Sequence, residues 1–352
     1  MKQKLLGSHL LLTLLSIVIG FLVGAILLLI IGISPGVAYA KLFTSVFSEF
    51  KYIIYSMIYA SPLIFTGLSV AFSFKTGVFN IGAEGQFVVG SLAALAVGIF
   101  VDLPAILHVP LCLIAAALAG AAWSAVVGFL KVKRGINEVL SYIMFNWIAF
   151  YFSNYVVNLQ AVHKEGGGEA SKDILESARL TAPKFLTDMC PYANWGFLLA
   201  VACAVLVWYT ITKTTLGYQL RAVGHSRTAA EYGGISSNRI FLISMSISGA
   251  LAGLGGAVQL MGMSGRLSQF AGQEGFGFQG ITVALIAGSH PVGCILSGLF
   301  YGAMKYGGTK LSLVNVPNEV VNIIMGTIIF FIAIAHVFRK LFQRKQKGGA
   351  AA

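Results

Sequence analysis

Charge is what this sequence has least of. Of its 352 residues only 10% are Asp, Glu, Lys or Arg, where a soluble domain carries about 25%. So few charges cannot cover a water-facing surface, which excludes a soluble enzyme and a disordered chain. Acids are the scarcer sign, 12 against 24 Lys and Arg, for a formal net charge of +12. The bases lie between apolar runs and form no single patch, so nucleic acid is not the expected partner. Cysteine is sparse as well. Cys112, Cys190, Cys203 and Cys294 show no CxxC spacing, so neither a disulfide framework nor a thiolate metal site is supported. The six His are scattered without ligand spacing. There is no GxxxxGK[ST], HExxH or GxSxG motif. The GxGxxG match at Gly275–Gly280 has no preceding strand and no acid about twenty residues on. Nothing in the chain points to catalysis.

What the sequence has is apolar length. Hydrophobic residues make up 57% of it, and the mean hydropathy is +0.84. A helix needs about 20 apolar residues to cross a hydrocarbon core of about 30 Å. Such runs fall near 10–32, 52–73, 86–101, 104–130, 139–158, 194–212, 240–263 and 319–337. Between them, 277–308 is interrupted by Ser289-His290-Pro291, where a turn or break is expected because Pro removes a helical hydrogen bond. Read as 277–289 and 291–308, it brings the expected count to ten crossings. The first run, behind Met1-Lys2-Gln3-Lys4, is too long for a signal-peptide core and lacks a small-residue cleavage site, so it reads as an uncleaved span.

Placing the N-terminus in the cytoplasm puts fifteen of the 24 basic residues in inner segments, with only Glu84, Glu138 and Glu231 among the acids. The whole net charge then sits on the inner face, and both termini are inside. The outer loop 159–193 is expected to carry a short surface helix or to be mobile. The inner loop 213–238 reads as turn, short helix and turn, an ordered basic docking surface for another protein.

Gly249/Gly253, Gly298/Gly302 and Gly20/Gly24 are GxxxG pairs, which let helix backbones approach closely in lipid. Polar residues between apolar spans are costly unless paired or wetted, so they mark candidate sites. The densest set runs from Lys75 to Gln86 and contains three Gly with Phe79, Asn80, Glu84 and Gln86. So glycine-rich a stretch is expected to be non-helical, and such backbone is tolerated at membrane depth only when buried in protein or lining a cavity. It could hold a polar solute, or it could be an ordinary cytoplasmic turn. A second set is Asn137, Glu138, Asn146, Trp147, Asn154 and Asn158, where interhelical hydrogen bonding is the competing explanation. A third includes Gln259, Gln273, Glu274, Gln279 and His290, with Gln259 and Gln279 flanking an outer mouth.

The stretch Thr76-Gly77-Val78-Phe79-Asn80-Ile81-Gly82-Ala83-Glu84-Gly85-Gln86 resembles the signature of ABC-importer permeases of the nucleoside and simple-sugar type, within the branched-chain amino acid and ribose permease superfamily. Gly135-Ile136-Asn137-Glu138-Val139 followed by Asn146-Trp147, the inner segment Leu216–Ile235, Ser248–Ala257 and Gly280–Gly288 extend the likeness over roughly 52–337. It departs from the family pattern at His225, Gln279 and His290.

The resemblance implies an all-α polytopic membrane protein of about ten transmembrane helices, some broken or short, in a type II-like ABC importer bundle. It implies residues 1–51 as a first span and outer linker, 52–338 as the permease domain and 339–352 as a basic cytoplasmic tail. It implies a place in the bacterial cytoplasmic membrane beside lipid. The expected partners are a second permease subunit, an ABC ATPase and a substrate-binding lipoprotein or periplasmic protein. No cofactor is expected in this chain; ATP and Mg belong to the partner ATPase. Nucleosides are the implied cargo, with a simple sugar or riboflavin-like vitamin as the alternative and a stand-alone secondary transporter behind it. The expected solute path uses Phe79, Asn80, Glu84, Gln86, Asn137, Glu138, Asn146, Trp147, Gln259 and Gln279. The expected ATPase contact uses Arg221, Ala222, Gly224, Arg227, Ala230, Glu231 and Gly234.

Overall fold

The computed structural model describes residues 9–166, 168–317 and 319–348. The expectations that fall on Met1–Lys4 and on residues 349–352 lie outside them. Among the described residues there is no strand, only isolated bridges such as Thr181 with Asn194. The helices are α1 His9–Ile30, α2 Pro35–Phe47, α3 Phe50–Phe74, α4 Ala83–Phe100, α5 Ala105–Arg134, α6 Glu138–Val157, α7 Lys184–Thr187, α8 Gly196–Lys213, α9 Thr215–His225, α10 Arg227–Tyr232, α11 Ser237–Gln259, α12 Phe276–Ile286, α13 Pro291–Thr309 and α14 Glu319–Gly348.

Six helical stretches among the described residues are long and apolar enough to cross a membrane: Thr13–Ile30, Phe50–Phe74, Ala83–Phe100, Ala105–Arg134, Gly196–Lys213 and Ser237–Ser264. The six do not include α6, an apolar run whose hydropathy is diluted by Asn146, Asn154 and several tyrosines. The break expected at 289–291 is present. Helix α12 stops at Ile286, Ser289 takes a left-handed φ of 55°, and Pro291 begins α13. Helix α2 fills part of what reads as an outer linker. It buries Ala38, Leu42 and Val46, one face at a spacing of four. Helix α14 runs through position 338 to Gly348 without interruption.

The chain divides into two compact units, with boundaries inside α3 and α13. The first, Met1–Ser56 with Ala303–Ala352, packs α1 on α14, where Gly20 and Gly24 admit Ile328 and Ile324. The second, Met57–Gly302, is built around α4, α5 and α11. These three meet along a seam of small residues. A methyl group on Gly120 would overlap the Gly249 carbonyl, and one on Gly90 would overlap the Gly253 backbone. The GxxxG pair on α11 thus makes the tight backbone packing expected of it.

Candidate functional site

The glycine-broken segment lies in the second unit between α3 and α4. It turns at Lys75–Gly77, with Gly77 at φ 74°, and runs irregularly to Gly82. Thr76, Val78 and Asn80 are fully buried. The Asn80 amide nitrogen donates to Gln86 Oε1 at 2.8 Å and to Ser248 Oγ at 2.7 Å, with Ser69 Oγ at 3.1 Å. Its oxygen accepts from Gln86 Nε2 and from the Gly82 N–H, both at 3.0 Å. Two amides thus pair head to head, and Ser248 closes the ring by donating to the Ser69 carbonyl at 2.7 Å. Thr76 and Ser244 pair their hydroxyls nearby. This knot ties α3, the segment, α4 and α11 together with its amide atoms satisfied, the condition under which buried polar groups stabilise.

Two further side chains brace the segment. Asn146 of α6 accepts from the Gly85 N–H at 2.9 Å and donates to the Ile81 carbonyl at 3.0 Å. Glu84, 1% exposed, accepts from Gly275 N–H at 2.7 Å and Gly277 N–H at 2.6 Å. Those amides open α12, so one carboxylate satisfies two donors at a helix start and sits at the positive end of its dipole. A buried carboxylate is tolerated when hydrogen-bonded in this way.

The other expected path residues sit elsewhere. Phe79 stacks on Phe74, outside the knot. Asn137 caps α6 through Val139 N–H at 2.9 Å, and Glu138 pairs with Lys131 at 2.5 Å. With Gly135 ending α5 in a left-handed turn at φ 68°, the Gly135–Glu138 motif is the punctuation between two helices. Trp147 is 45% exposed and packs on Phe150 and Tyr151. Gln279 lies in the first turn of α12, where its N–H donates to the Gly275 carbonyl.

Gln259 belongs to a different feature. Helix α11 ends there and passes into a π turn, Leu260–Ser264, closed by Gly265 at φ 65°. Beside that turn is a cavity of about 320 Å³, lined by Phe87, Ser91 and Gln259 and by Ser264, residues 266–272 and Glu274 of the following loop. Gln259 Oε1 is buried without a hydrogen-bond partner. The roof is held from two sides. Asn154 of α6 accepts from the Phe270 N–H at 2.8 Å and donates to the Phe270 carbonyl at 3.0 Å. The loop 159–193 supplies Ser171 N–H to the Leu267 carbonyl at 2.8 Å and Ile174 N–H to Gly265 at 2.9 Å. That loop is therefore packed, and its helical content is α7 and a 3₁₀ turn at Glu176–Ala178. On it, Lys164 lies 2.6 Å from Asp173 and holds that carboxyl below its ordinary range.

The segment 213–238 forms two short helices, each started by a side-chain cap: Thr214 accepts from Gly217 N–H and Ser226 from Ala229 N–H. Arg221, Arg227, Glu231 and Gly234 are exposed, Ala222 is half-buried and Ala230 is buried. Arg227 pairs with Glu231 at 3.3 Å and donates to Asn238 at 2.7 Å. Gly224 faces the chain's own broken segment: a methyl group on it would overlap the Lys75 carbonyl, and Gly77 lies beside it.

Sequence reasoning singled out Asn80, Gln86 and Asn146 but not their partners Ser69 and Ser248, since single serines in apolar helices carry no distinguishing pattern. Asn154 and Asn158, one helical turn apart, were a legible signal of a shared polar face.

The geometry can be set beside known proteins. Residues 52–333 match the family model described as "Branched-chain amino acid transport system / permease component". The chain is 39% identical to the guanosine ABC transporter permease protein NupP of Bacillus subtilis, over 97% of this chain and 98% of that one. It is 34% identical to the nucleoside ABC transporter permease protein NupB of Lactococcus lactis, over 94% and 92%. It is 31% identical to the glucose ABC transporter permease protein TsgB13 of Haloferax volcanii, over 93% and 87%.

Proposed function

We propose, for a chain that belongs to this family of transport-system permease components and is an integral membrane protein, that it is the translocating subunit of an ATP-driven nucleoside importer. The observation that carries the reading is the contact between the inner helices and the broken segment. Helices α9 and α10 expose a charged face, and Gly224 between them and the bundle meets Lys75–Gly77 main chain to main chain. A motor gripping Arg221, Arg227 and Glu231 has a short mechanical path to the Asn80 knot. ATP and Mg are handled by that separate ATPase subunit. The remaining partners in this reading are a second permease chain and a substrate-binding protein that delivers cargo at the 264–274 loop. The knot, Glu84, Asn146, Gln259 and Gln279 then mark elements that rearrange as access alternates. All ten long or broken helices cross, with both termini in the cytoplasm, as the basic inner loops favour. The domain plan is a permease body at 52–338 preceded by an accessory span and followed by a basic tail.

The Bacillus and Lactococcus relatives support nucleosides as cargo. The Haloferax relative supports a simple sugar as the second reading. A solute shifts two states only by its differential affinity for them, so uphill uptake depends on the ATPase. Proteoliposomes holding the complete complex should accumulate guanosine and inosine in an ATP-dependent way, and glucose, ribose and riboflavin poorly. Accumulation without ATP, or of sugar alone, overturns the reading. Arg221→Glu should abolish substrate-stimulated ATP hydrolysis while leaving the permease inserted; unchanged stimulation would remove Arg221 from the motor contact.

A further inference from the structure

We infer that the C-terminal end of α5 is an anionic-lipid site, where Lys133 and Arg134 hold the phosphate of a bilayer headgroup. The inference needs only that the chain lies in a membrane. Helix α5 divides lengthwise. His108, Cys112, Ala116, Gly120, Ser124 and Val127 are buried at a spacing of three or four. On the other side Leu107, Leu111, Ile114, Leu118, Val126 and Phe129 are exposed, from 37% to 65%. They recur at helical spacing and make one apolar face, which in a bilayer meets acyl chains. At 1.5 Å per residue the stretch from Leu107 to Phe129 is about 33 Å long, matching a hydrocarbon core of about 30 Å. Lys133 continues that face one turn beyond Phe129, about 6 Å further along the axis, where headgroups begin. The last turn of α5 carries three bases, Lys131, Lys133 and Arg134. Lys131 is answered within the bundle: it pairs with Glu138 at 2.5 Å and lies over the Phe241 ring, 5.2 Å from its centroid. Lys133 and Arg134 are exposed, and among the described residues neither is in an ion pair. The carbonyl end of a helix offers about half a negative charge, so most of their charge is left uncompensated. A phosphodiester supplies the missing charge, and its acyl chains fit the apolar face below. The long stems of Lys and Arg lie along such a face while their heads reach the phosphates. A water-soluble partner would meet the charges but not the apolar face that leads to Lys133, which favours lipid.

The test titrates phosphatidylglycerol or phosphatidylcholine onto the delipidated full-length chain and reads the first lipid bound by native mass spectrometry. Each cation near an anionic headgroup should contribute a preference of about fivefold, so the wild type should bind phosphatidylglycerol about fivefold more tightly or better. Lys133→Gln with Arg134→Gln should remove that preference and leave phosphatidylcholine binding unchanged. Lys133→Gln alone should lower it severalfold, and it serves if the double variant does not insert. Lys133→Arg with Arg134→Lys alters both side chains but keeps both charges, so it should retain the preference, which a packing role would not predict. Lys184→Gln removes an exposed cation of α7 and should change nothing. Equal binding of the two lipids by the wild type, an unchanged preference in the double variant, or the same loss in Lys184→Gln overturns the site. Retained phosphatidylglycerol preference together with loss of the ATPase subunit from the double variant also overturns it, and assigns the pair to a protein contact.

Discussion

Two polar clusters in the second unit look alike in sequence and differ in their hydrogen-bond ledger. Around Asn80 the amides are matched: Gln86 answers Asn80, Ser248 answers both Asn80 and Ser69, and Glu84 takes two main-chain donors. Around Gln259 the count is open, with one buried carbonyl oxygen unanswered beside an empty volume. A polar side chain among apolar helices can therefore be mortar or bait. Position in the sequence does not separate them; the completeness of its partners does. The closed cluster helps a Gly-rich stretch survive inside a bundle, because irregular main-chain groups such as the Val78 N–H, the Gly82 N–H and the Ile81 carbonyl have partners.

The contrast can be broken in a definite order. Asn80→Leu should do the most harm, since it takes the amide partner from Gln86 and the acceptor from the Gly82 N–H in a closed interior. A loss of about 2–4 kcal/mol is expected, read as a lowered midpoint for unfolding in detergent. An unchanged midpoint would mean the knot is not structural. Glu84→Gln comes next. The amide has one acceptor oxygen where the carboxylate had two, so one of Gly275 and Gly277 loses its partner, at about 1–3 kcal/mol. Faster hydrogen exchange confined to the start of α12 would localise that effect. Asn154→Ala should cost about 1 kcal/mol and loosen the roof, seen as faster exchange across 264–274 while the 75–86 segment keeps its protection. Gln259→Leu should be nearly silent in stability, within about 0.5 kcal/mol, because it removes a group that had no partner. If it destabilised as much as Asn80→Leu, the two clusters would be the same kind of object.

Much of the plan was readable in the sequence. Apolar run lengths placed the long helices to within a few residues, except at the end of α14, because spanning length and helical rise leave little freedom. Ser289-His290-Pro291 announced the break before α13. The Gly135–Glu138 motif was legible as polar punctuation, and it forms the turn between α5 and α6. The exposure of Trp147 was not legible, since an aromatic in mid-span can face outward as easily as inward. Helix α2 went unread because it is short and interrupts no apolar run, although Ala38, Leu42 and Val46 carried its period. The cavity was the least legible feature. Its wall comes from Phe87 and Ser91 on α4 and its roof from a loop some 180 residues away, so nothing local in the sequence joins them.

The joint at Gly224 has one more consequence. Main chain meets main chain there, so the joint has no rotamers to reset and little slack to take up. Ordinary substitutions around it cannot retune how far a push travels; only a new side chain at the glycine itself can jam it.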